Sequence, residues 1–432
     1  MSLVLPNLKL STFNLQSSTS LRLLALAPTG FFADYGCHVR IMGQLRALQQ
    51  LGYQVKLVTY PAGREVSGLS IIRPPLPLAR DMPVGSSRRK ILLDGLLAPT
   101  ALAVALRFRP HLIHAYLHEG ALMGWAIAGV LHCPLTFDYQ GSLTAEMLDH
   151  RFLAPKSRFL PGLKRLEQWI EQRPNVLFPS SGQTAALLAS RGLPAASIRP
   201  LPDNIDPELF APRPRDPDLL ARLGLDPTRP IVVYLGLLAW YQGTDLLLRA
   251  VAEPALAAHP AQFLIMGFPA VEHYRSLAQQ LGVEHRTLFT GPIPYAEAPR
   301  YLALGDLAVA PKLSLTEGSG KLLPYMSMAL PIVATDTPVH HEYLGDDAIL
   351  VAEPQPQRPA GSASNGPAGS ASNGPAGSAS NGPAALAQAI ALALDHLPDL
   401  RLRALRLRHK VEMQYTWAQG AQVMDAVFRS LV

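Results

Sequence analysis

The 432-residue chain contains two cysteines, Cys37 and Cys133, far apart and in no C-x-x-C arrangement. That scarcity excludes a disulfide scaffold and a cysteine metal site, and it fits a reducing, cytoplasmic compartment. Charged residues are also few, 16% against 48% hydrophobic, which excludes global disorder and implies large buried sheets. Uninterrupted apolar runs of the roughly 20 residues a membrane-spanning helix needs are missing. Ile91–Phe108 is broken by Asp94, Gly95 and Pro99, and Ala121–Leu131 is too short, so both are expected to pack as helices on a sheet. Residues 1–20 lack a basic segment ahead of a continuous apolar run and are not read as a secretory signal. No zinc pattern and no basic stripe interleaved with aromatics is present, so nucleic acid is not an expected partner. The net charge of +6 instead suits a nucleotide or an anionic membrane surface.

What is present is an alternation of strand and helix, run through twice. Leu21–Ala27 is a short apolar run ending at Pro28-Thr29-Gly30, which reads as a buried parallel strand feeding a loop. From Gly36 the spacing turns helical: Cys37, Ile41, Leu45 and Leu48 share a face, and Gly52 closes the helix. Further strands are predicted at 55–60, 69–73, 111–115, 135–139 and 176–179. A second series follows at 231–235, 262–266, 287–290, 307–310, 332–334 and 349–351. Two doubly wound parallel sheets are the expected architecture.

The chain divides accordingly into an N-terminal extension, 1–20, and two α/β domains, 21–205 and 206–358. Residues 359–382 hold three copies of the octapeptide P-A-G-S-A-S-N-G, a composition that buries nothing and reads as a flexible linker. Helices fill 383–432.

Ligands of open α/β sheets sit beyond the carboxyl ends of the strands, so the loops that follow strands carry the chemistry. Four stand out. Thr29–Gly36 precedes the first helix, where Gly36 allows close approach to the backbone, although a permissive helix start explains it as well. His118-Glu119-Gly120 opens a helix after a strand, and a capping or surface histidine is the alternative. His111, His114 and His118 form no defensible metal spacing, and no metal is expected. Gly236–Gly243 opens the first helix of the second domain, placing Gly236, Gln242 and Gly243 near a phosphate. The most distinctive stretch is Pro311–Pro331, where Glu317, Gly318, Ser319, Gly320 and Lys321 follow a strand and open a helix. Backbone N–H groups there can bind a diphosphate while Glu317 reaches sugar hydroxyls and Lys321 offsets charge. It is no Walker A loop, because G-x-x-x-x-G-K-[ST] is absent.

This last stretch resembles the signature region of the retaining glycosyltransferases of family 4. Glu317-Gly318-Ser319-Gly320 and the strand Ala329-Leu330-Pro331-Ile332-Val333-Ala334-Thr335 carry the likeness. Leu51-Gly52-Tyr53-Gln54-Val55, Leu201-Pro202-Asp203-Asn204-Ile205-Asp206 with Phe210, Phe289-Thr290-Gly291-Pro292-Ile293, and Trp417 extend it over most of the chain. The resemblance implies a GT-B fold, two Rossmann-like domains facing a cleft with the C-terminal helix crossing back to the first. It implies that Gly36 lines the diphosphate or acceptor site, that His118 meets the donor sugar, and that Ile293 faces the base. Glu317 would hold sugar hydroxyls, and the backbone at 319–321 would hold the diphosphate. Two departures are visible. Tyr325 stands where the family has a second carboxylate, and Gln242 stands where it has lysine.

The implied activity is transfer of a sugar from a nucleotide-diphosphate donor to an acceptor hydroxyl with retention, without metal or other cofactor. A glycan or lipid-linked acceptor and peripheral contact with anionic membrane through Arg88-Arg89-Lys90 and 151–165 complete the expectation. A non-catalytic binding subunit and a sugar-nucleotide epimerase of the same fold are the alternatives.

Overall fold

The computed structural model describes residues 20–75, 88–149, 152–314, 318–352 and 382–432. Residues 1–19 of the extension, the octapeptide array through residue 381 and Glu317 therefore lie outside the described residues.

Six strands form the first sheet: β1 (Arg22–Ala27), β2 (Gln54–Thr59), β3 (Ser70–Ile72), β4 (Leu112–Tyr116), β5 (Leu135–Tyr139) and β6 (Val176–Pro179). Six more form the second: β7 (Ile231–Leu235), β8 (Gln262–Met266), β9 (Thr287–Gly291), β10 (Leu307–Ala310), β11 (Ile332–Thr335) and β12 (Ile349–Val351). The spatial orders are β3-β2-β1-β4-β5-β6 and β12-β11-β10-β7-β8-β9. Every pairing is parallel. Each sheet reverses direction beside its first strand, β1 next to β4 and β7 next to β10, and a crevice opens at that switch point.

Strands covered on both faces must be apolar throughout, which is why β4, β8 and β10 are buried along their whole length. Helices supply the covers. Gly36–Gln50 turns Ile41, Leu45 and Leu48 onto the first sheet, as its 3–4 spacing predicts. Arg88–Phe108 is a single helix despite Pro99. It is the one helix among the described residues long and apolar enough to cross a membrane. Here it lays Leu93, Leu97, Ala101 and Ala105 on the opposite face of the first sheet.

The last helix, Trp417–Leu431, returns to the first domain. Thr416 caps it, accepting from the Gln419 amide. Ala421, Met424, Val427 and Phe428 enter the core beneath Gly36–Gln50. Two missing side chains permit the crossing. A Cβ on Gly43 would lie 2.3 Å from the Trp417 ring, and one on Gly420 would lie 2.3 Å from Asn204 Oδ1. Trp417 therefore fills a hole left by glycine on the facing helix.

Candidate active site

The two switch points face one another across a cavity of about 350 Å³. The second domain builds its wall from glycines and lysines. β7 ends at Leu235, and Tyr325 fixes that end: its hydroxyl accepts from the Leu235 amide at 2.7 Å. Tyr325 is fully buried, so at the position of the family's second carboxylate this chain has a strand brace. Beyond Leu235, Gly236–Gly243 turns into the helix Thr244–Ala252. Gly243 takes φ +78°, and a Cβ there would sit 1.8 Å from the Pro311 carbonyl oxygen. Only glycine satisfies both the backbone angle and the space.

The loop after β10 supplies the charge. Lys312, 2% exposed, donates from Nζ to the Gly318 carbonyl at 2.6 Å. Lys321 passes close to Gly236 and donates to the Tyr234 hydroxyl at 3.2 Å, its ammonium 4.5 Å from that ring's centre. Lys312 thus reaches the Gly318–Gly320 turn and Lys321 the end of β7, and both line the cavity. The helix behind the turn, Leu322–Ser327, has only six residues. With so short a helix, the groups available to an anion are the turn's own N–H groups, as the sequence suggests, and the ammonium groups of Lys312 and Lys321.

Ser319 is nearly buried, and its hydroxyl is committed elsewhere. His340 Nδ1 lies 2.6 Å from the Thr335 carbonyl and so carries the proton, which leaves Nε2 to accept from Ser319 Oγ at 3.0 Å. Burial pushes the His340 pKa down to about 4. A neutral imidazole thus orients the turn and leaves its backbone for the ligand.

The first domain builds its wall differently. Asp34, Tyr35, Gly36 and Cys37 line the cavity. His38 underlies them: its Nδ1 accepts from the Ala33 amide at 2.8 Å, and its Nε2 donates to Thr29 Oγ1 at 2.7 Å. Burial lowers its pKa to about 3, and Tyr35 stacks 3.9 Å from its ring. Arg40, 3% exposed, holds Asp138 through Nε and Nη2 and reaches Asp203 at 3.0 Å through Nη1. Burial opposes the Asp138 charge, but Arg40 outweighs it and keeps the carboxyl below the usual range. Burial and the Asp138 charge push the Cys37 thiol up to about 12, so it is no nucleophile.

Asp203 joins the walls. Its amide donates to the Tyr343 hydroxyl at 3.2 Å. Side chains at Gly318 and Gly320 would approach its carboxylate to 3.1 and 3.2 Å. Further bonds cross between domains: the Tyr295 amide to Asp34 at 3.1 Å, Ser314 Oγ to Asp149 at 2.8 Å, and the Gly182 amide to Glu342 at 2.9 Å.

Of the residues singled out from sequence, the cleft gathers Gly36, Gly236, Gln242, Ile293, Gly318, Ser319, Gly320 and Lys321. Gly243 lies just behind, shaping the loop. Glu317 is outside the described residues. His118 is not on the cleft surface; the expectation that it meets the donor sugar is not matched by its position. It is buried between the rings of Phe137 and Tyr139, facing Glu167 and Glu171. Its helix starts at Leu117 with φ +60°, which directs the next side chain inward. Arg40, Asp203, Lys312 and His340 were missed. Lys312 left a local signal, standing two residues past the end of a strand, and Asp203 lies within the 201–206 segment that carries the resemblance.

Comparison with known proteins bears on this geometry. The family model described as "Glycosyl transferase 4-like domain" matches residues 35–204, and "Glycosyl transferases group 1" matches 229–364. The chain is a group 1, family 4 glycosyltransferase family member. It is 35% identical over 145 residues to the GDP-mannose-dependent alpha-(1-6)-phosphatidylinositol monomannoside mannosyltransferase of Mycolicibacterium smegmatis, covering 32% of this chain and 36% of that one. It is 26% identical over 316 residues to the sulfoquinovosyl transferase of Arabidopsis thaliana, covering 72% and 58%. These matches thus span about a third and just over half of those relatives. Among solved structures, sucrose-phosphate synthase from Thermosynechococcus elongatus superposes with TM-score 0.76 at 19% identity, covering 95% and 99%. Anabaena HepE in complex with UDP-glucose superposes with TM-score 0.69 at 14% identity, covering 95% and 100%. The family member described here therefore has the GT-B fold, both sheets and the returning helix included.

Proposed function

We propose that this chain transfers a sugar from a nucleotide-diphosphate sugar to an acceptor hydroxyl with retention of anomeric configuration. The observation that carries the reading is that Lys312, held on the Gly318 carbonyl, and Lys321, reaching Tyr234 beside Gly236, both line a glycine-walled cleft between two Rossmann-like domains. As the bond from the anomeric carbon to the diphosphate oxygen breaks, negative charge grows on the phosphate. The two ammonium groups and the turn's N–H groups stabilise it without a metal ion. The acceptor hydroxyl attacks the same face of the sugar and passes its proton to the departing phosphate. Interdomain bonds such as Asp34 to Tyr295 keep the cleft closed and limit hydrolysis of the donor.

The acceptor is a glycan or a lipid-linked molecule, and the protein works in the cytoplasm against an anionic membrane. Three helices on one face of the first sheet support this: Arg88–Phe108, Leu117–Leu131 and Leu160–Glu171. They expose Ile91, Leu92, Trp125 and Leu166, with Phe159 exposed just ahead of the third helix and Lys164 and Arg165 exposed within it. The side chains of Arg88, Arg89 and Arg151 lie outside the described residues.

The purified chain tests the reading when screened by thermal shift with UDP-, GDP- and ADP-sugars, followed by donor turnover. Unchanged kcat/KM in both Glu317→Ala and Lys321→Ala would sink it. Tyr325 in the carboxylate position favours a second reading, a binding subunit without catalysis; donor turnover by the chain alone removes it.

A further inference from the structure

The surroundings of His118 are unusual for a histidine without a role in the cleft. Its Nε2 lies 3.9 Å from Glu171 Oε1 and 4.0 Å from Glu167 Oε1, beyond hydrogen-bond range. Both glutamates are fully buried, and the histidine is 5% exposed. Glu167 Oε2 accepts from Thr144 Oγ1 at 2.5 Å, and Arg191, at the rim and 16% exposed, pairs with both Oε1 atoms. Among the described residues, His118 Nε2 and Glu171 Oε2 have no hydrogen-bond partner. Two carboxylates face one guanidinium, so with a neutral imidazole the cluster carries one uncompensated negative charge out of water, a costly arrangement.

We infer that this cluster is a divalent-cation site of the zinc or manganese class, with His118 Nε2 and the carboxylates of Glu167 and Glu171 as ligands. The candidate ligand atoms all fall within 4.8 Å of one another. Bonds of about 2.1 Å at the tetrahedral angle separate ligand atoms by roughly 3.4 Å, so the imidazole must close on each carboxylate by about half an ångström, and the ligand atoms farthest apart by up to about 1.4 Å. The ligands are a nitrogen and two oxygens, a borderline set that suits zinc or manganese better than calcium. Arg191 holds the place of the second positive charge and swings toward solvent when the ion enters. Three protein ligands leave the fourth position for water. The ion would fasten the start of Leu117–Leu131, at the cleft end of β4, to Leu160–Glu171. It is a separate site from the donor pocket, and it does not depend on the transfer reading.

The test uses the full chain, stripped with chelator, loaded with zinc or manganese chloride, desalted and assayed for metal by mass spectrometry. About one ion per chain and a raised Tm are expected. His118→Ala and Glu171→Gln should each lose the ion while keeping the parent circular dichroism spectrum. Arg191→Met, which removes the competing charge, should bind roughly tenfold tighter or better. Retention of the ion by His118→Ala overturns the site, as does absence of metal from both parent and Arg191→Met. Binding confined to Arg191→Met also overturns it, because the arginine then holds the pocket in the native chain. Should His118→Ala fail to fold, Glu171→Gln and Arg191→Met decide.

Discussion

The two walls of the cleft come from the same strand order and do different work. Behind β1, the loop is propped by aromatic rings and a neutral histidine, with Arg40 and Asp138 beneath it. Behind β7 and β10, side chains have been removed until backbone meets backbone, as at Gly243 against Pro311, and lysines reach across the gap. A parallel sheet fixes where a ligand sits; the residues just past the strand ends decide its charge. The second wall presents lysines and bare backbone, the first aromatic rings over a paired arginine and aspartate.

The largest expected effect lies on the cationic wall. Lys321→Ala and Lys312→Ala should each lower kcat/KM for transfer by roughly 100-fold or more, the worth of one preorganised donor at a developing anion. Steady-state kinetics measure it, with unfolding curves to show that the fold survives. Equal losses from any substitution on the aromatic wall would break the contrast.

Stability sharpens the same comparison at two glycines. Gly243→Ala must move the Pro311 carbonyl and strain a left-handed residue, and should cost more than about 2 kcal/mol in denaturant unfolding. Gly36→Ala meets nothing within 4 Å and should stay within about 0.5 kcal/mol of the parent.

In one respect the walls agree. His38 and His340 are both buried and neutral, with pKa values lowered to about 3 and about 4. An unfolded histidine titrates near ~6.5. Between these values the unfolded chain binds more protons than the folded one, so stability is complete above about pH 6.5 and declines as pH falls. Differential scanning fluorimetry from pH 7.5 to 5 should show Tm falling. Gln at position 38 or 340 should reduce that slope, whatever it does to the absolute Tm. A parent-like slope in both variants would show that other groups govern the acid response.

The smallest effect belongs to the outer face of the first domain. Ile91→Asp with Leu92→Asp should reduce co-sedimentation with anionic liposomes several-fold, because each carboxylate removes an apolar contact and repels the headgroups. Transfer to a water-soluble acceptor should be unaffected.

Strands with continuous apolar stretches were legible from sequence because burial on both faces leaves a local mark. The segments 135–139, 176–179, 231–235 and 307–310 form strands with the predicted limits. Glycine turns were legible for a related reason, since close backbone approach demands a particular residue type. Arg40 and Asp138 were not, because 98 positions separate them and neither sits in a motif. His118 shows the opposite failure. Its place at the head of a helix after a strand suggested the cleft, but one left-handed residue, Leu117, turned it into the interior among glutamates that lie far along the chain.

The returning helix has a consequence for how the protein is made. Phe428 and Met424 belong to the core of the first domain, yet they are translated after the whole of the second. Until they arrive, the N-terminal half carries an open apolar groove along Gly36–Gln50, with no Trp417 to sit against Gly43. Of the two domains, the one translated earlier is thus the later to be finished, and the two halves cannot be expected to fold when expressed apart.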